Sequence, residues 1–417
     1  MSNDTRPEIR FPGFTEDWEE RKLGDMMDVT SVKRIHQSDW TNSGIRFLRA
    51  RDIVSAAKNE EPSDYLYISE EKYNEYSKIS GKVSQGDLLV TGVGSIGVPL
   101  LITDDNPIYF KDGNIIWFKN EHKIDGNFFY YSFINNKIQK YIRDVAGIGT
   151  VGTYTIDSGK KTPISLPTYD EQIKIGSFFK QLDHTIALHQ RKLDLLKETK
   201  KGFLQKMFPK NGAKVPEIRF PGFTGDWEQR KLGGIGKTYT GLTGKSKEDF
   251  GHGDAKFVTY MNVFQNPKAT LEQLENVEID PRQNEVKKGD VFFTTSSETP
   301  EEVGMSSVWT HDINNIYLNS FTFAYRPTIK FDLDYLAFML RSQSVRKKII
   351  FLAQGISRYN ISKTKMMDIS VPIPVNFEEQ QKIGAFFKQL DDTIALHQRK
   401  LDLLKETKKG FLQKMFV

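Results

Sequence analysis

Residues 169–208 read YDEQIKIGSFFKQLDHTIALHQRKLDLLKETKKGFLQKMF, and residues 377–416 read FEEQQKIGAFFKQLDDTIALHQRKLDLLKETKKGFLQKMF, identical at 35 of 40 positions with an offset of 208. Along the first stretch, steps of four and three residues alternate through Ile175, Phe179, Leu182, Ile186, His189, Leu193, Leu196, Lys200, Phe203 and Met207. The second repeats the pattern at Ile383, Phe387, Leu390, Ile394, His397, Leu401, Leu404, Lys408, Phe411 and Met415. A 3.5-residue period sustained this long predicts a coiled coil. Each helix alone would expose a matching apolar stripe, so the simplest packing pairs the two, antiparallel about a pseudo-twofold axis. Pro209 cannot continue the first helix and Asn211-Gly212 favours a turn, which ends it.

Outward from the helices, the starts of two copies repeat as well. Pro7–Thr15 (PEIRFPGFT) returns at Pro216–Thr224, and Asp17, Trp18, Glu19, Arg21, Lys22, Leu23 and Gly24 return 209 residues later. The interiors differ, apart from echoes such as Gly86-Asp87-Leu88 with Gly289-Asp290-Val291 and Ile164–Pro167 with Ile369–Pro372. Duplication followed by uniform drift would not spare the frames and scramble the centres. A scaffold that presents two different recognition surfaces would do so.

The expected fold is α/β (α+β): two similar mixed α/β domains separated by two long antiparallel coiled-coil helices with pseudo-twofold symmetry. Its boundaries are a first domain at 1–168, a helix at 169–208, a linker and repeat start at 209–224, a second domain at 225–376 and a helix at 377–417. Strands are expected at Ile45–Leu48, Asp87–Val90, Ile115–Phe118, Asp290–Phe293 and Phe321–Ala324, and single helices over Phe128–Arg143 and Leu333–Phe351.

The chain has 417 residues, 38% of them hydrophobic and 12% aromatic, which excludes a disordered polymer. It has no cysteine, which removes thiol nucleophiles, disulfides and thiolate metal sites and fits a reducing cytosol, so a cytoplasmic location is expected. The longest uncharged run, Leu88–Thr103, is broken by Gly92, Gly94, Gly97 and Pro99, so no membrane association is expected. The net charge of +5 sits on the helices: 171–206 carries +4 and 379–414 carries +3, leaving the remainder near −2. Any nucleic-acid footprint is therefore local.

Several apparent motifs lack their context. Gly92–Gly97 has dinucleotide-loop spacing but is followed by Pro99 and a strand-like run, not a helix. Gly236-Lys237-Thr238 and Gly244-Lys245-Ser246 lack the first glycine of a phosphate loop, with Lys231 and Tyr239 in its place. Asp64 with Glu70, Glu71 and Lys72 is only faintly nuclease-like in a chain that is 27% charged. The seven histidines have no metal-ligand spacing, and His189 and His397 on the seam read as register-setting. There is no Asn-Pro-Pro-Tyr or Asp-Pro-Pro-Tyr segment, the signature of adenine aminomethyltransferases. No catalytic residue and no metal site are expected.

Candidate DNA contacts fall in the interiors. Lys33, Arg34, Arg46, Arg49 and Arg51 face only Asp39 across Lys33–Arg51, and an arginine there can reach guanine O6 and N7. The second interior offers Lys245, Thr259, Tyr260, Asn262, Thr294, Thr295, Ser296 and Ser297. Two glycine-bearing loops add Thr150, Thr153 and Tyr154 in the first copy and Arg358, Tyr359 and Asn360 in the second.

Taken together, the paired lead-ins, Gly-Asp strands, Ile-Ser-Pro segments and Glu-Gln helix starts at Glu171–Ile186 and Glu379–Ile394 resemble the specificity subunit of type I restriction-modification systems. The resemblance covers nearly the whole chain. It implies two target-recognition domains, each reading one half of a split, non-palindromic double-stranded DNA site. It also implies partners: two methyltransferase (M) subunits using S-adenosylmethionine to modify adenine N6, and restriction (R) motor-nuclease subunits using ATP and magnesium. The chain itself would hold no cofactor. About 36 helical residues span about 54 Å, against about 34 Å for one DNA turn, so the rod would act as a ruler. The rival readings are a protein-binding coiled-coil adaptor and a self-sufficient DNA-modifying enzyme.

Overall fold

The computed structural model describes residues 5–58, 60–147, 152–210 and 212–417. The chain divides into two compact units: one runs to Gln190 and includes Arg399–Val417, and the other is Arg191–Gln398. Each long helix is continuous, Tyr169–Lys206 and Phe377–Lys414, and each contributes to both units.

The heptad reading holds inside each unit. In the first, Phe178 meets Phe411 edge-on at 5.2 Å and Phe179 meets Phe416 at 5.8 Å, while the Lys408 ammonium pairs with Asp183 at 2.5 Å. The second repeats this with Phe203 on Phe386 at 5.0 Å, Phe208 stacked on Phe387 at 5.9 Å, and Lys200 on Asp391 at 2.5 Å. In both units the start of one long helix thus lies against the end of the other, an antiparallel pairing. The lysines that break the apolar period keep their stems in the seam and their charges on an opposing carboxylate.

The repeated lead-ins serve to close each unit. Arg10 donates from Nε and Nη2 to the two carboxylate oxygens of buried Glu171, both at 2.7 Å, and Arg219 does the same to Glu379 at 2.7 and 2.8 Å. Ile9 N–H donates to the Lys414 carbonyl, and Ile218 N–H to that of Lys206, so each lead-in also caps a helix C-terminus. Gly176 and Gly384 explain a further identity between the frames. A Cβ at Gly176 would lie 2.4 Å from Asp125 Oδ1, and one at Gly384 would lie 2.3 Å from Asp332 Oδ1, so only glycine admits the capped helix that packs there.

Each interior is a small mixed sheet system. In the first unit one sheet runs Asp28–Thr30, Ile115–Lys119, Leu88–Thr91, Pro99–Leu101, and another runs Trp40–Thr41, Leu66–Ile68, Ile45–Leu48, Ile108–Phe110. The second unit has Gly236–Thr240, Thr322–Pro327, Val291–Thr294, Ser306–Val308, beside Leu274–Val277, Phe250–Val258, Ile316–Leu318. In each second sheet one inner strand, Ile45–Leu48 or Phe250–Val258, pairs parallel with the last strand and antiparallel with its other neighbour. Apolar runs such as Leu88-Leu89-Val90 and Val291-Phe292-Phe293 are buried on both faces, which is why they read as continuous rather than alternating. The Gly-Asp echo is a strand clasp. Asp87 accepts from Ser84 N–H, Asn120 N–H and Trp117 Nε1, and Asp290 accepts from Lys287 N–H, Tyr239 Oη and Arg326.

Two expected helices are each broken in two. Gly126–Ile134 and Asn136–Ala146 meet at Asn135, and Leu333–Arg341 and Gln343–Phe351 meet at Ser342. Both junctions are extended, and the Asn135 side chain accepts from Lys137 N–H as an N-cap, a local bond that competes with helix continuation. The apolar spacing carries across the break, so periodicity alone cannot see it.

Candidate nucleic-acid interface

In both units the strand after the Gly-Asp clasp ends on a buried threonine, and the chain then departs into a loop. Thr91 Oγ1 accepts from Val98 N–H and Thr294 Oγ1 from Met305 N–H, each at 2.9 Å, which ties the loop's return to its start. The next carbonyl is pinned too: Gly92 O accepts from Tyr154 N–H and Thr295 O from Ile361 N–H. A positive-φ glycine closes each loop, Gly97 and Gly304, and its carbonyl accepts from Gln139 Nε2 and Arg346 Nη1 respectively. Between these shared anchors the first unit carries Val93–Ile96 and the second carries Ser296–Val303, four residues longer.

In the second unit this loop forms one wall of a cleft of about 470 Å³. The opposite wall is the short helix Tyr260–Gln265, begun by Thr259, whose side chain accepts from Asn262 N–H. Tyr260 stacks on Phe264 at 6.0 Å and donates its hydroxyl to the Ser296 carbonyl at 2.8 Å. Arg358 reaches in from the adjacent loop and donates to Ser296 Oγ at 3.2 Å, while Ser296–Ser297 pairs antiparallel with Tyr359–Asn360. Exposed Met261, Glu298, Glu302 and Ser357 complete the lining. Burial raises the Tyr260 hydroxyl above its ordinary pKa, so at neutral pH it remains a donor. Guanidinium, carboxylate, hydroxyl and apolar groups converge here, the set that discriminates base edges.

The first unit places its arginines at corresponding points. Arg49 begins the helix Ala50–Ala57 as Thr259 begins Tyr260–Gln265, and Arg51 stands where Met261 does. Arg49 is tied to Asp52 and Asp64, and Arg51 also pairs with Asp64 while its side chain stays 56% exposed. The hydrogen bond to Asp52 raises the Arg49 pKa. The Arg46 guanidinium lies 3.7 Å from the Tyr65 ring centre. Lys33 and Arg34 turn elsewhere, to the Tyr76 ring at 4.2 Å and to Asp112 at 3.7 Å. The expected single basic patch is therefore corrected to two groups: Arg49 and Arg51, neutralised by Asp52 and Asp64, and Lys33 and Arg34, of which Arg34 pairs with Asp112.

Other candidate residues have interior roles. Tyr154 is 2% exposed with its hydroxyl on Thr162, and Asn262 and Thr294 are fully buried, so the structure places these three side chains inside the fold. Lys245 is half-buried between Asp280 at 3.2 Å and Asp249 at 3.8 Å, and its charge serves that cluster. Thr295 Oγ1 donates to the Phe321 carbonyl. Thr153 is exposed, and Thr150 lies outside the described residues. Selection by polar composition missed Met261, Phe264, Glu298 and Glu302. The signal for Met261 is the helix start after the Phe257-Val258 strand, since a helix's first turn at a sheet edge points its side chains into the adjacent cleft; Glu298 and Glu302 lie in the opposite loop.

Gly92–Gly97 joins the antiparallel strands Leu88–Thr91 and Pro99–Leu101, so no helix N-terminus follows it. Asp64 serves Arg49 and Arg51. Among the described residues there is no cluster of three or more metal-ligating side chains, and no helix is long and apolar enough to cross a membrane.

The model of the type I restriction modification DNA specificity domain matches residues 15–198 and again 224–406. A putative type I restriction enzyme specificity subunit from Haemophilus influenzae is 32% identical over 163 residues, 39% of each chain. The putative MjaX specificity subunit of Methanocaldococcus jannaschii is 25% identical over 427 residues, covering 95% of this chain and 92% of that one. Among solved structures, the type I S subunit from M. genitalium aligns over 99% of both chains with a TM-score of 0.56 at 15% identity. The HsdS subunit from Thermoanaerobacter tengcongensis aligns over 98% of both with a TM-score of 0.51 at 16% identity. This chain therefore belongs to the family of type I restriction-modification DNA specificity subunits, whose part in such a system is sequence recognition and not catalysis.

Proposed function

We propose that the chain reads a bipartite, non-palindromic site in double-stranded DNA, one half through each interior, and positions methyltransferase and restriction subunits there. Residues 1–168 and 225–376 act as the two target-recognition domains. The observation that carries this reading is the pair of loops after Thr91 and Thr294, which share their anchors and differ in length and chemistry. In the second domain Tyr260, Met261 and Arg358 face the bases, with buried Ser296 holding Tyr260 and Arg358 in place. In the first, Arg51 and the loop residues around Ser95 take that place. Arg34, Lys33 and Thr153 serve phosphates, whose contacts position the protein without reading sequence.

The chemistry belongs to the partners: S-adenosylmethionine in the methyltransferase subunits for adenine N6 methylation, and ATP with magnesium in the restriction subunits. Exposed leucines on the long helices suit such partners. The first unit presents Leu188 and Leu403, and the second presents Leu195 and Leu396, each at least 49% exposed. The same pair in each unit supports two copies of one methyltransferase subunit. The system works in the cytoplasm.

Mapping of methylated adenines in DNA modified by this chain with its methyltransferase subunits tests the reading. Two dissimilar half-sites with a fixed spacer are expected. A helix-length ruler further requires that one heptad added to both long helices, about 10 Å, changes that spacer and leaves the half-sites recognisable. Methyl transfer by the chain alone, or partner binding indifferent to DNA sequence, would favour the enzyme or adaptor readings instead.

A further inference from the structure

The second unit holds two arginines, Arg341 and Arg346, whose guanidinium groups donate to backbone carbonyls. Arg341, the last residue of the helix Leu333–Arg341, donates to the carbonyls of Val263 and Phe264 at 3.0 Å, Gln265 at 3.4 Å and Ser306 at 2.8 Å. Arg346 lies in the next helix, Gln343–Phe351. It donates to the carbonyls of Glu301 at 2.7 Å and of Val303 and Gly304 at 2.8 Å. Among the described residues neither guanidinium forms an ion pair with a carboxylate. Burial lowers both pKa values, that of Arg341 further under the charge of Arg346. Both side chains are half-buried, and holding a cation there without a counter-ion is costly, so its placement needs a reason beyond general stability.

The carbonyls they hold belong to the two walls of the cleft. Val263, Phe264 and Gln265 end the six-residue helix that carries Tyr260 and Met261, too short to be stable unaided. A cation on those orphan carbonyls caps the helix and favours its dipole. Glu301, Val303 and Gly304 lie in the opposite loop, which carries Ser296, Glu298 and Glu302. The first unit makes only the weaker version of one of these ties: Gln139 corresponds to Arg346 and donates a single amide bond to Gly97, in a loop four residues shorter.

We propose that Arg341 and Arg346 are positioning residues that set the width and register of the second domain's reading cleft, and so determine how sharply it discriminates its half-site. This rests on the reading of that cleft as a base-recognition surface. Neither arginine touches DNA. A longer loop needs more carbonyls held than one amide can serve, which is why guanidinium replaces amide in this half alone.

The test uses the chain assembled with its methyltransferase subunits, measuring methylation rates on DNA with single-base changes in either half-site. A wrong base costs about 1–3 kcal/mol, or about 5- to 150-fold, in a well-ordered site. Arg341→Met and Arg346→Met are each expected to cut discrimination at the second half-site by about tenfold and leave the first unchanged. Arg346→Gln, which restores the bond seen at Gln139, should recover most of it. Arg341→Lys, whose ammonium cannot span three carbonyls and Ser306, should lose several-fold at the second half-site only, and it decides the matter should the methionine variants not fold. Unchanged discrimination in Arg341→Lys, or a parallel loss at both half-sites, would overturn the proposal. A wild-type complex that leaves no bipartite mark would overturn the functional reading and this proposal with it.

Discussion

The loops after Thr91 and Thr294 leave the same threonine latch, are pinned by the same carbonyl and close on the same left-handed glycine. Between those anchors one is a short glycine-rich turn and the other a longer hydroxyl- and carboxylate-bearing wall. The fold thus separates the residues that hold a loop from the residues that differ within it. Anchors bind through backbone groups and buried side chains, so what lies between them can change without disturbing the core.

The largest expected effect breaks the frame and not the loops. Removing one member of a buried ion pair leaves the other charge uncompensated, at about 3–5 kcal/mol. Glu379→Ala and Glu171→Ala should each destabilise to that degree by denaturant unfolding. Glu379→Ala should cost about 1 kcal/mol more, because Trp227 Nε1 also donates to Glu379 at 3.3 Å while Trp18 Nε1 has no hydrogen-bond partner. Equal losses would mean that the two frames are energetically the same despite this difference.

A smaller effect separates the loop closures. Both Gly97 and Gly304 have positive φ, +78° and +62°, where an L-residue costs about 1–2 kcal/mol. A Cβ at Gly304 would also lie 2.7 Å from Ile349 Cγ2, against 3.1 Å from Ile142 at Gly97. Gly304→Ala should therefore lower stability more than Gly97→Ala and loosen only the second half-site, measured by unfolding and by methylation of mismatched DNA.

The smallest effect concerns the strand clasps. Burial raises the Asp87 carboxyl above its ordinary pKa, despite its three hydrogen bonds. The folded first unit then binds a proton more readily than the unfolded chain, so this residue's contribution to stability falls as pH climbs from the ordinary carboxyl value through the raised one. Asp87→Asn, which cannot ionise, should flatten that slope in urea midpoints taken between about pH 4 and 6. A slope unchanged by the substitution would assign the acid dependence to other groups.

Much of this organisation is legible in the sequence because it is periodic or repeated. The long helices follow from the heptads, and the twofold arrangement follows from lead-ins that recur 209 residues apart. The proposed reading surface is less legible. Thr294, Asn262 and Tyr154 carry polar groups, yet those groups bond Met305 N–H, the Thr270 and Gln273 carbonyls, and Thr162 inside the fold. Arg49 reads as a free cation until the chain brings Asp52 and Asp64 to it, the second from 15 residues away. Local composition cannot report such partners, and it gave no reason to link Arg341 to a helix 76 residues earlier.

The most direct test replaces residues 234–376 with a copy of 25–168 and maps the adenines methylated by the chimera with its methyltransferase subunits. If interchangeable interiors carry the specificity on a common frame, the second half-site must disappear and the first must be read twice. A chimera that folds, assembles and still marks the original two half-sites would contradict the account.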